Sequence, residues 1–251
     1  MFLKERQNII ASMIDEKGRV AVAELAEKFS VTVDCIRKDL RQLESQGLAK
    51  RVYGGAISVR NTPEKTVYKR FDTNSKDKQI IAEKAYELIR PGDIIFLDIS
   101  TTVLELAKLL KNGQKRCVVV SNMMDSLHAL AENPLLSVIC PGGRVSLDLN
   151  GFVGALTISN LVPMTFDKAF IGAISVDMQS GDVTTFELDD GLVKRKAIES
   201  ADVSYLMVDN QKFSSNGNYR FAKINDFDGI ITTQIGKKEE KSLETYDIEL
   251  I

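Results

Sequence analysis

The stretch VTVDCIRKDLRQLESQGLAKRVYGG, residues 31–55, combines a helical apolar pattern, several basic residues and a glycine pair. Within it, Ile36, Leu40 and Leu43 fall at i, i+4 and i+7, and this spacing predicts a helix with one buried face. Thr32 is a suitable N-cap for that helix, and Gly47 stands where a helix end favours a left-handed residue. The opposite face is either an ordinary solvated surface or a surface that binds a polyanion.

A β-hairpin is expected directly after this helix. Val52 and Ala56-Ile57 flank Gly54-Gly55, a pair that predicts a two-residue turn. Two further helical patterns precede residue 31, over roughly residues 3–14 and 22–29. Helices followed by a hairpin in this order are typical of a winged helix-turn-helix, a fold that binds DNA.

Basic side chains lie on both predicted elements. When the apolar face of the helix turns inward, its basic residues lie on the face that a major groove can receive. Basic and aromatic residues at the hairpin are suited to phosphate and sugar contacts. A merely solvated helix does not need a basic hairpin beside it, so the pattern favours DNA binding. The candidate residues are Thr32, Arg37, Lys38 and Arg41 on the helix, and Lys50, Arg51 and Tyr53 at the hairpin.

Charge is distributed unevenly along the chain. The 251 residues have a formal net charge of −2, yet residues 1–60 carry 11 Lys and Arg against 8 Asp and Glu. Between residues 35 and 60 there are six basic and two acidic residues. A locally positive segment on an acidic chain indicates a polyanion-binding module joined to a second part.

The rest of the chain predicts a linker and an α/β domain. Residues 58–78 are polar, contain Pro63 and have few large aliphatic residues, a composition typical of a linker. From residue 79 onward, short apolar runs alternate with helical patterns, which predicts a mostly parallel sheet covered on both faces. We therefore expect a DNA-binding domain over 1–57, a linker over 58–78 and an α/β domain over 79–251, with the C-terminal residues as an edge strand.

Small polar residues follow three of the predicted strands. In an open parallel sheet, ligands bind at the carboxyl ends of the strands, where hydroxyl groups and helix N-termini can hold a phosphate. The same residues can also be plain helix caps. Charged residues further along the chain are equally consistent with a binding site and with surface ion pairs. The candidate ligand-binding residues are Asp98, Ser100, Thr101, Thr102, Ser121, Asn122, Gly142, Gly143, Arg144, Glu187, Lys194 and Lys212.

Several functional classes are disfavoured. No run approaches the ~18 apolar residues of a membrane span, and the GxxxxGK[ST] phosphate-binding motif is absent from the sequence. The single histidine, His128, excludes a His-rich metal site and is expected to be a packing or surface residue. The three cysteines are widely spaced and indicate reduced thiols. We expect a cytoplasmic protein that needs neither a metal nor a cofactor.

Motifs along nearly the whole chain resemble the DeoR family of bacterial transcriptional regulators. IRKDL and KRVYGGA are similar to its helix-turn-helix signature, and IRPGDIIFLD, DKAFIGA, KRKAIESA and VDNQKF are similar to its sugar-phosphate sensor domain. The resemblance implies a sensor fold like that of ribose-5-phosphate isomerase and CoA-transferases. It also implies a homodimeric or homotetrameric repressor of a sugar or polyol operon, which binds double-stranded DNA and is relieved by a phosphorylated sugar or polyol.

The sequence departs from the family pattern at three positions. Ser100 stands where the family has glycine in D-x-G-T-T, Gln211 replaces the serine of D-x-S-K-F, and Ala21 lacks the usual capping hydroxyl of the second helix. The departures at Ser100 and Gln211 leave open a DNA-binding protein with a non-sensing C-terminal domain. The fold resemblance leaves open an isomerase-like enzyme that uses Glu187, Asp98 or Lys194 for proton transfer.

Overall fold

The chain is described by a computed structural model that covers residues 3–17, 19–46, 48–52, 54–58, 67–70, 73–214, 217–243, 245–246 and 248–251. It divides into two compact units, Met1–Pro63 and Glu64–Ile251. Among the helices in these ranges, none has the length and apolar character that a membrane crossing requires.

The first unit is a winged helix-turn-helix, as the sequence predicts. Its three strands form an antiparallel sheet in the order β1-β3-β2. Its helices and strands are α1 Leu3–Lys17, β1 Arg19–Ala21, α2 Val22–Phe29, α3 Val33–Ser45, β2 Ala49–Val52 and β3 Gly55–Ser58.

Local chemistry explains where α3 begins and which face it buries. Thr32 has an extended backbone, and its side chain accepts a hydrogen bond from Cys35 N at 3.3 Å, which confirms the predicted N-cap. Ile36, Leu40 and Leu43 are buried in the core of this unit, as their spacing predicts. Gly47, the predicted helix end, lies outside the described residues.

The hairpin differs from its prediction in the position of the turn. β3 begins at Gly55, so the predicted turn on Gly54-Gly55 is wrong and Gly55 belongs to the sheet. A Cβ at Gly55 would lie 2.0 Å from Val20 O of β1, so this glycine permits close contact between two strands. Ala21 provides no cap for α2, but the first helical amide, Val22 N, donates to Gly54 O at 2.9 Å.

The second unit is built around a seven-stranded parallel sheet in the order β15-β14-β12-β9-β4-β5-β6. A hairpin, β7-β8, and a second antiparallel sheet, β10-β11-β13, are attached to it. The elements are α4 Ser75–Leu88, β4 Ile94–Leu97, α5 Thr101–Asn112, β5 Cys117–Ser121, α6 Met124–Leu130, β6 Leu136–Ile139, β7 Arg144–Ser146, β8 Gly151–Val153, α7 Ala155–Leu161, β9 Phe166–Gly172, β10 Ser175–Val176, β11 Asp182–Thr185, α8 Leu188–Glu199, β12 Ala201–Met207, β13 Tyr219–Lys223, β14 Gly229–Ile231, α9 Lys237–Leu243 and β15 Glu249–Leu250.

Both faces of the parallel sheet are covered. In β4, Ile95 and Leu97 pack into one buried cluster and Phe96 into another, so the central strand is apolar at successive positions. This confirms the predicted α/β class. The C-terminal strand β15 lies at the edge of the sheet, as expected.

Part of the predicted linker 58–78 is folded into the second unit. Val67 is fully buried in its core, and its N–H donates to Asp148 O at 2.7 Å. Val67–Arg70 form a short 3₁₀ helix, and α4 begins at Ser75 rather than after residue 78. One apolar residue in a polar stretch has no periodicity, which is why composition alone assigned these residues to a linker. The domain boundaries themselves stay a prediction.

Candidate functional site

The exposed face of α3 carries the predicted basic residues. Arg37, Lys38 and Arg41 are all exposed, whereas Ile36, Leu40 and Leu43 of the same helix are buried. A cleft between α3 and the hairpin is lined by Arg37 and Leu40 on one side and by Arg51 and Val52 on the other. The side chain of Lys50, and Tyr53 as a whole, lie outside the described residues.

Two of the basic residues are held by acidic neighbours. Arg37 Nη1 lies 3.1 Å from Asp34 Oδ1, and both side chains are largely exposed, so this pair is weak and easily exchanged for another anion. Arg51 is held more firmly, because its Nε lies 2.6 Å from Glu44 Oε2 and its backbone N–H donates to Glu44 Oε1 at 2.9 Å. Glu44 therefore sets the position of the hairpin relative to α3.

A buried polar cluster fixes α3 against α1. Asp39, the acidic residue of IRKDL, is buried and lies 2.7 Å from Arg6 Nε. Gln7 Nε2 donates to Asp39 Oδ1 at 3.1 Å and lies 2.9 Å from Gln42 Oε1. Arg6 and Gln7 come from α1, whereas Asp39 and Gln42 belong to α3. The angle at which α3 presents its basic face therefore depends on this cluster.

In the second unit, strand order reverses between β4 and β9. From β4 the chain proceeds to β5 and β6 on one side, whereas β9 begins the series that continues through β12 and β14 on the other. At such a reversal, a crevice opens beyond the carboxyl ends of the strands. Asp98 follows β4 and Gly172 ends β9 at this point, and Gly172 N donates to Asp98 Oδ2 at 3.0 Å.

A buried group of charges fills the base of this crevice. Lys194 of α8 forms an ion pair with Asp98 Oδ2 and donates to Ile99 O at 3.2 Å, and its Nζ lies 3.5 Å from Asp190 Oδ1. Thr185 Oγ1 donates to Asp190 Oδ2 at 2.6 Å. Burial raises the pKa of Asp98 to about 6, against the opposing effect of Lys194. Two carboxylates thus share one ammonium group in a site of low dielectric.

Above these charges lies a small cavity of about 10 Å³, room for roughly one water molecule, and it opens to solvent. Arg70, Ser100, Gly172 and Lys194 line it, together with Ile99, Leu149, Ala173, Ile174, Thr185, Phe186 and Asp190. Arg70 Nε and Asp98 Oδ1 are buried without a hydrogen-bond partner among the described residues. Burial lowers the pKa of Arg70, while Asp190 and Asp98 act against that shift. Unpaired buried polar atoms beside a cavity are expected where a ligand completes the hydrogen bonds.

Two lysines lie near Arg70. Lys78 of α4 is buried and its Nζ donates to Arg70 O, and burial lowers its pKa to about 8. Lys212 follows β12, and burial lowers its pKa as well, with Asp209 acting in the opposite direction. Gln211 N donates to Asp209 Oδ1 at 3.0 Å. We call Arg70, Lys78 and Lys212 the basic cluster.

The other predicted ligand residues have different surroundings. Ser100 caps α5 by accepting from Thr102 N at 3.2 Å, and Thr101 and Thr102 are buried in the first turn of that helix. The cavity lining does not include Ser121, Asn122, Gly142, Gly143, Arg144, Glu187 or Lys212.

Several of those residues have evident structural contacts. Ser121 Oγ accepts from Met123 N at 3.2 Å, and Asn122 Nδ2 donates to Phe152 O at 3.1 Å. Gly142 and Gly143 adopt positive φ angles of 68° and 126°, and Gly142 O accepts from Thr157 Oγ1 at 2.7 Å. Glu187 is half-buried at the start of α8, and burial raises its pKa.

Sequence reasoning missed Arg70, Lys78 and Asp190. Arg70 and Lys78 fell within the predicted linker, where basic residues are common. Asp190 precedes Lys194 by four residues, a spacing that places the two side chains on one face of a helix and was the available signal.

A winged helix-turn-helix with a basic α3, joined in one chain to an α/β unit with a charged cavity, defines a DNA-binding transcriptional regulator with a candidate sensing domain. The DeoR-like helix-turn-helix domain matches residues 6–62, and the DeoR C terminal sensor domain matches residues 73–234. The chain therefore belongs to the DeoR family.

Individual relatives are similar over nearly their whole length. The uncharacterized HTH-type transcriptional regulator FruR of Bacillus subtilis is 33% identical over 98% of this chain and 96% of its own. The lactose phosphotransferase system repressor of Lactococcus lactis is 31% identical over 97% of this chain and 96% of its own. Among solved structures, ribose 5-phosphate isomerase A of Methanocaldococcus jannaschii is similar at 15% identity, with a TM-score of 0.43 over 56% of this chain and 55% of that one.

Proposed function

We propose that this protein represses a sugar or polyol utilisation operon from the cytoplasm and leaves its operator when a phosphorylated sugar binds in the second unit. It acts as a homodimer or homotetramer and needs no metal or cofactor. Membership of the DeoR family supports the regulator class, and the name of the Lactococcus relative, a lactose phosphotransferase system repressor, supports repression and a sugar-linked target.

The cavity beside Asp98 is the observation that carries the effector assignment. A phosphate is an anion that the guanidinium of Arg70 can bind, because its Nε has no partner among the described residues. Sugar hydroxyls can donate to Asp190, which lines the cavity, and Lys194 balances the charge of Asp190 and of the buried Asp98 beneath it. Among ligands, an anion that also carries several hydroxyl groups fits this set of atoms best.

DNA binding is assigned to α3 and the hairpin. Arg37, Lys38 and Arg41 point away from the core of the first unit, at the position from which a recognition helix contacts base edges. Arg51, held beside α3 by Glu44, is placed for a phosphate contact. Thr32 contributes as the cap that fixes the start of α3, and Lys50 and Tyr53 are proposed hairpin contacts.

A thermal-shift panel of phosphorylated sugars, combined with operator binding, tests the proposal. A true effector at a hundredfold excess over its Kd should stabilise the protein by ~2.7 kcal/mol and weaken binding to the DNA upstream of its own transcription unit. Arg70→Gln, which removes the proposed phosphate contact without breaking a buried ion pair, should abolish the shift. Arg37→Ala should weaken operator binding by about 1–3 kcal/mol and leave the shift unchanged. Absence of salt-sensitive binding to that DNA would contradict the regulatory role.

Two alternative functions, an isomerase and a non-sensing second unit, are each favoured by one observation. A buried carboxyl with a pKa of about 6 next to Lys194 is suited to proton transfer, as an isomerase requires. Interconversion of ribose and ribulose phosphates by the purified protein would establish that activity. The second alternative, a non-sensing domain, is favoured by Ser100 and by Gln211, whose Nε2 donates to Asn74 Oδ1 at 3.1 Å, at the residue before α4. That alternative predicts no thermal shift with any member of the panel.

A further inference from the structure

Helix α8 presents two different faces. Asp190 and Lys194, four residues apart, are buried at the cavity. Leu188 and Leu192 are also four residues apart, and they are 55% and 46% exposed on the other side of the helix. Leucines at helical spacing that do not pack into the core of their own unit indicate a contact with another surface.

The exposed leucines belong to a larger apolar surface. Leu188 and Leu192 line a groove between α8 and β13, in which Tyr219 is 42% exposed. Leu156 of α7 is 61% exposed, and α7 packs against α8. We call these four residues, Leu156, Leu188, Leu192 and Tyr219, the α8 face.

Charges around the α8 face are balanced and already paired within the chain. Arg144 lies 2.6 Å from Asp189, and Arg195 lies 3.3 Å from both Glu199 and Asp226. Asp182 lies 3.4 Å from Arg220 and 2.6 Å from Lys223. Four cations and four anions therefore surround the apolar centre. A strongly charged partner such as DNA gains little here, whereas a rim without net charge does not repel a second copy of the same chain, whose rim is equally neutral.

The free edge of β13 is protected against strand addition. β13 is the outermost strand of its three-stranded sheet. Arg195 Nη1 donates to Phe221 O at 3.0 Å and so covers a carbonyl on that edge. An extended peptide would have to displace this side chain. The geometry therefore favours a partner that packs side chain against side chain on the α8 face.

We propose that the α8 face is the interface through which two copies of this chain associate. Two copies are needed because one recognition helix reads too few base pairs to define an operator. Since α8 also carries Asp190 and Lys194, any movement of this helix on ligand binding changes the interface at the same time. That last step rests on the proposed effector site, whereas the interface itself does not.

Sedimentation equilibrium at micromolar concentration, with Leu188→Lys/Leu192→Lys as the variant, tests the interface. The wild type should be a dimer or a higher oligomer, and the variant should have half its mass and at least tenfold weaker operator binding. Ile80→Lys is the matched control, because Ile80 is a 44% exposed aliphatic residue on another helix, α4. The control should keep the wild-type mass. A monomeric wild type, or a variant of unchanged mass, would overturn the proposal.

A milder variant covers the case in which two lysines prevent folding. Leu192→Asn should keep the circular dichroism of the wild type and raise the dimer dissociation constant at least tenfold. An unchanged dissociation constant in this folded variant refutes the interface.

The Leu188→Lys/Leu192→Lys variant should still show a thermal shift with any sugar phosphate that shifts the wild type. If no phosphorylated sugar shifts the wild type, the effector assignment fails, while the masses still decide the interface.

Discussion

Gly172, at the end of β9, leaves no space for a side chain. A Cβ at this position would lie 2.3 Å from Ser100 Cβ and 2.4 Å from Ser100 Oγ. Gly172→Ala should therefore displace Ser100 and lengthen the hydrogen bond from Gly172 N to Asp98. We expect a loss of about 1–3 kcal/mol in the free energy of unfolding, measured by chemical denaturation, together with loss of the sugar-phosphate thermal shift.

The double variant Ser100→Gly/Gly172→Ala is the control for this prediction. It removes the side chain that the new Cβ would meet, so most of the lost stability should return. If the double variant is as unstable as Gly172→Ala, contact with Ser100 is not the cause.

Lys78 predicts a pH dependence of effector binding. Burial lowers its pKa to about 8, so the free protein loses this proton as the pH rises through that value. A bound phosphate near the basic cluster raises the pKa again, and the complex holds more protons than the free protein. Affinity should therefore be greatest below pH 8 and fall by up to about tenfold between pH 8 and pH 9.

Calorimetric titration at pH 7, 8 and 9 measures this dependence. The second pKa of a phosphate is ~6, so the charge of the ligand is constant over this range. Lys78→Arg keeps its proton throughout and should flatten the profile. Equal wild-type affinities at pH 7 and pH 9 would show that the anion lies away from Lys78.

At the scale of elements, α3 depends on the buried pair between Asp39 and Arg6. Asp39→Ala leaves the guanidinium of Arg6 buried without its carboxylate, and breaking such a pair costs about 3–5 kcal/mol. Operator binding should fall with the stability of the first unit, and thermal melting followed by circular dichroism measures that loss. Asp34→Ala is the matched control on the same helix, because its pair with Arg37 is exposed and contributes less than about 1 kcal/mol. Equal losses in both variants would contradict the anchoring role.

Elements with strong local patterns could be predicted from the sequence, and short ones could not. The bounds of α2 and the cap of α3 followed from apolar spacing and Thr32. β1, with three residues, and β10, with two, are too short to show alternation, and their pairing with β3 and β11 depends on contacts distant in sequence. Long-range pairing of this kind has no local signal.

At the candidate site, the sequence identified residues that follow strands but not those brought in by neighbouring segments. Asp98 and Lys194 were expected, because the family motifs and the strand ends place them. Arg70 was not, because a basic residue in a polar segment resembles a solvated linker until the fold buries its guanidinium. Asn122 and Gly143 lie outside the cavity lining and contact β8 and α7, yet Asn122 Oδ1 is buried without a partner among the described residues, so their role as ligand residues stays a prediction.

At the scale of the whole molecule, the proposed sensing and DNA binding belong to separate units, so regulation requires an energetic coupling between them. If a sugar phosphate weakens operator binding by some factor, operator DNA must weaken binding of the sugar phosphate by the same factor. We expect a factor of roughly 5–150, typical of a coupling free energy of about 1–3 kcal/mol. Titrating the effector into protein alone, and into protein saturated with operator, measures the factor in one direction. Titrating operator with and without effector measures it in the other.

The coupling prediction has a control in each unit. Arg70→Gln should bind operator normally and show no effector dependence, and Arg37→Ala should bind effector with the affinity of the free wild type at a DNA concentration that saturates the wild type but not the variant. Binding of both ligands with a factor of one in both directions would mean that the cavity is occupied without consequence for the DNA. In that case the second unit has another role, and the regulator is constitutive.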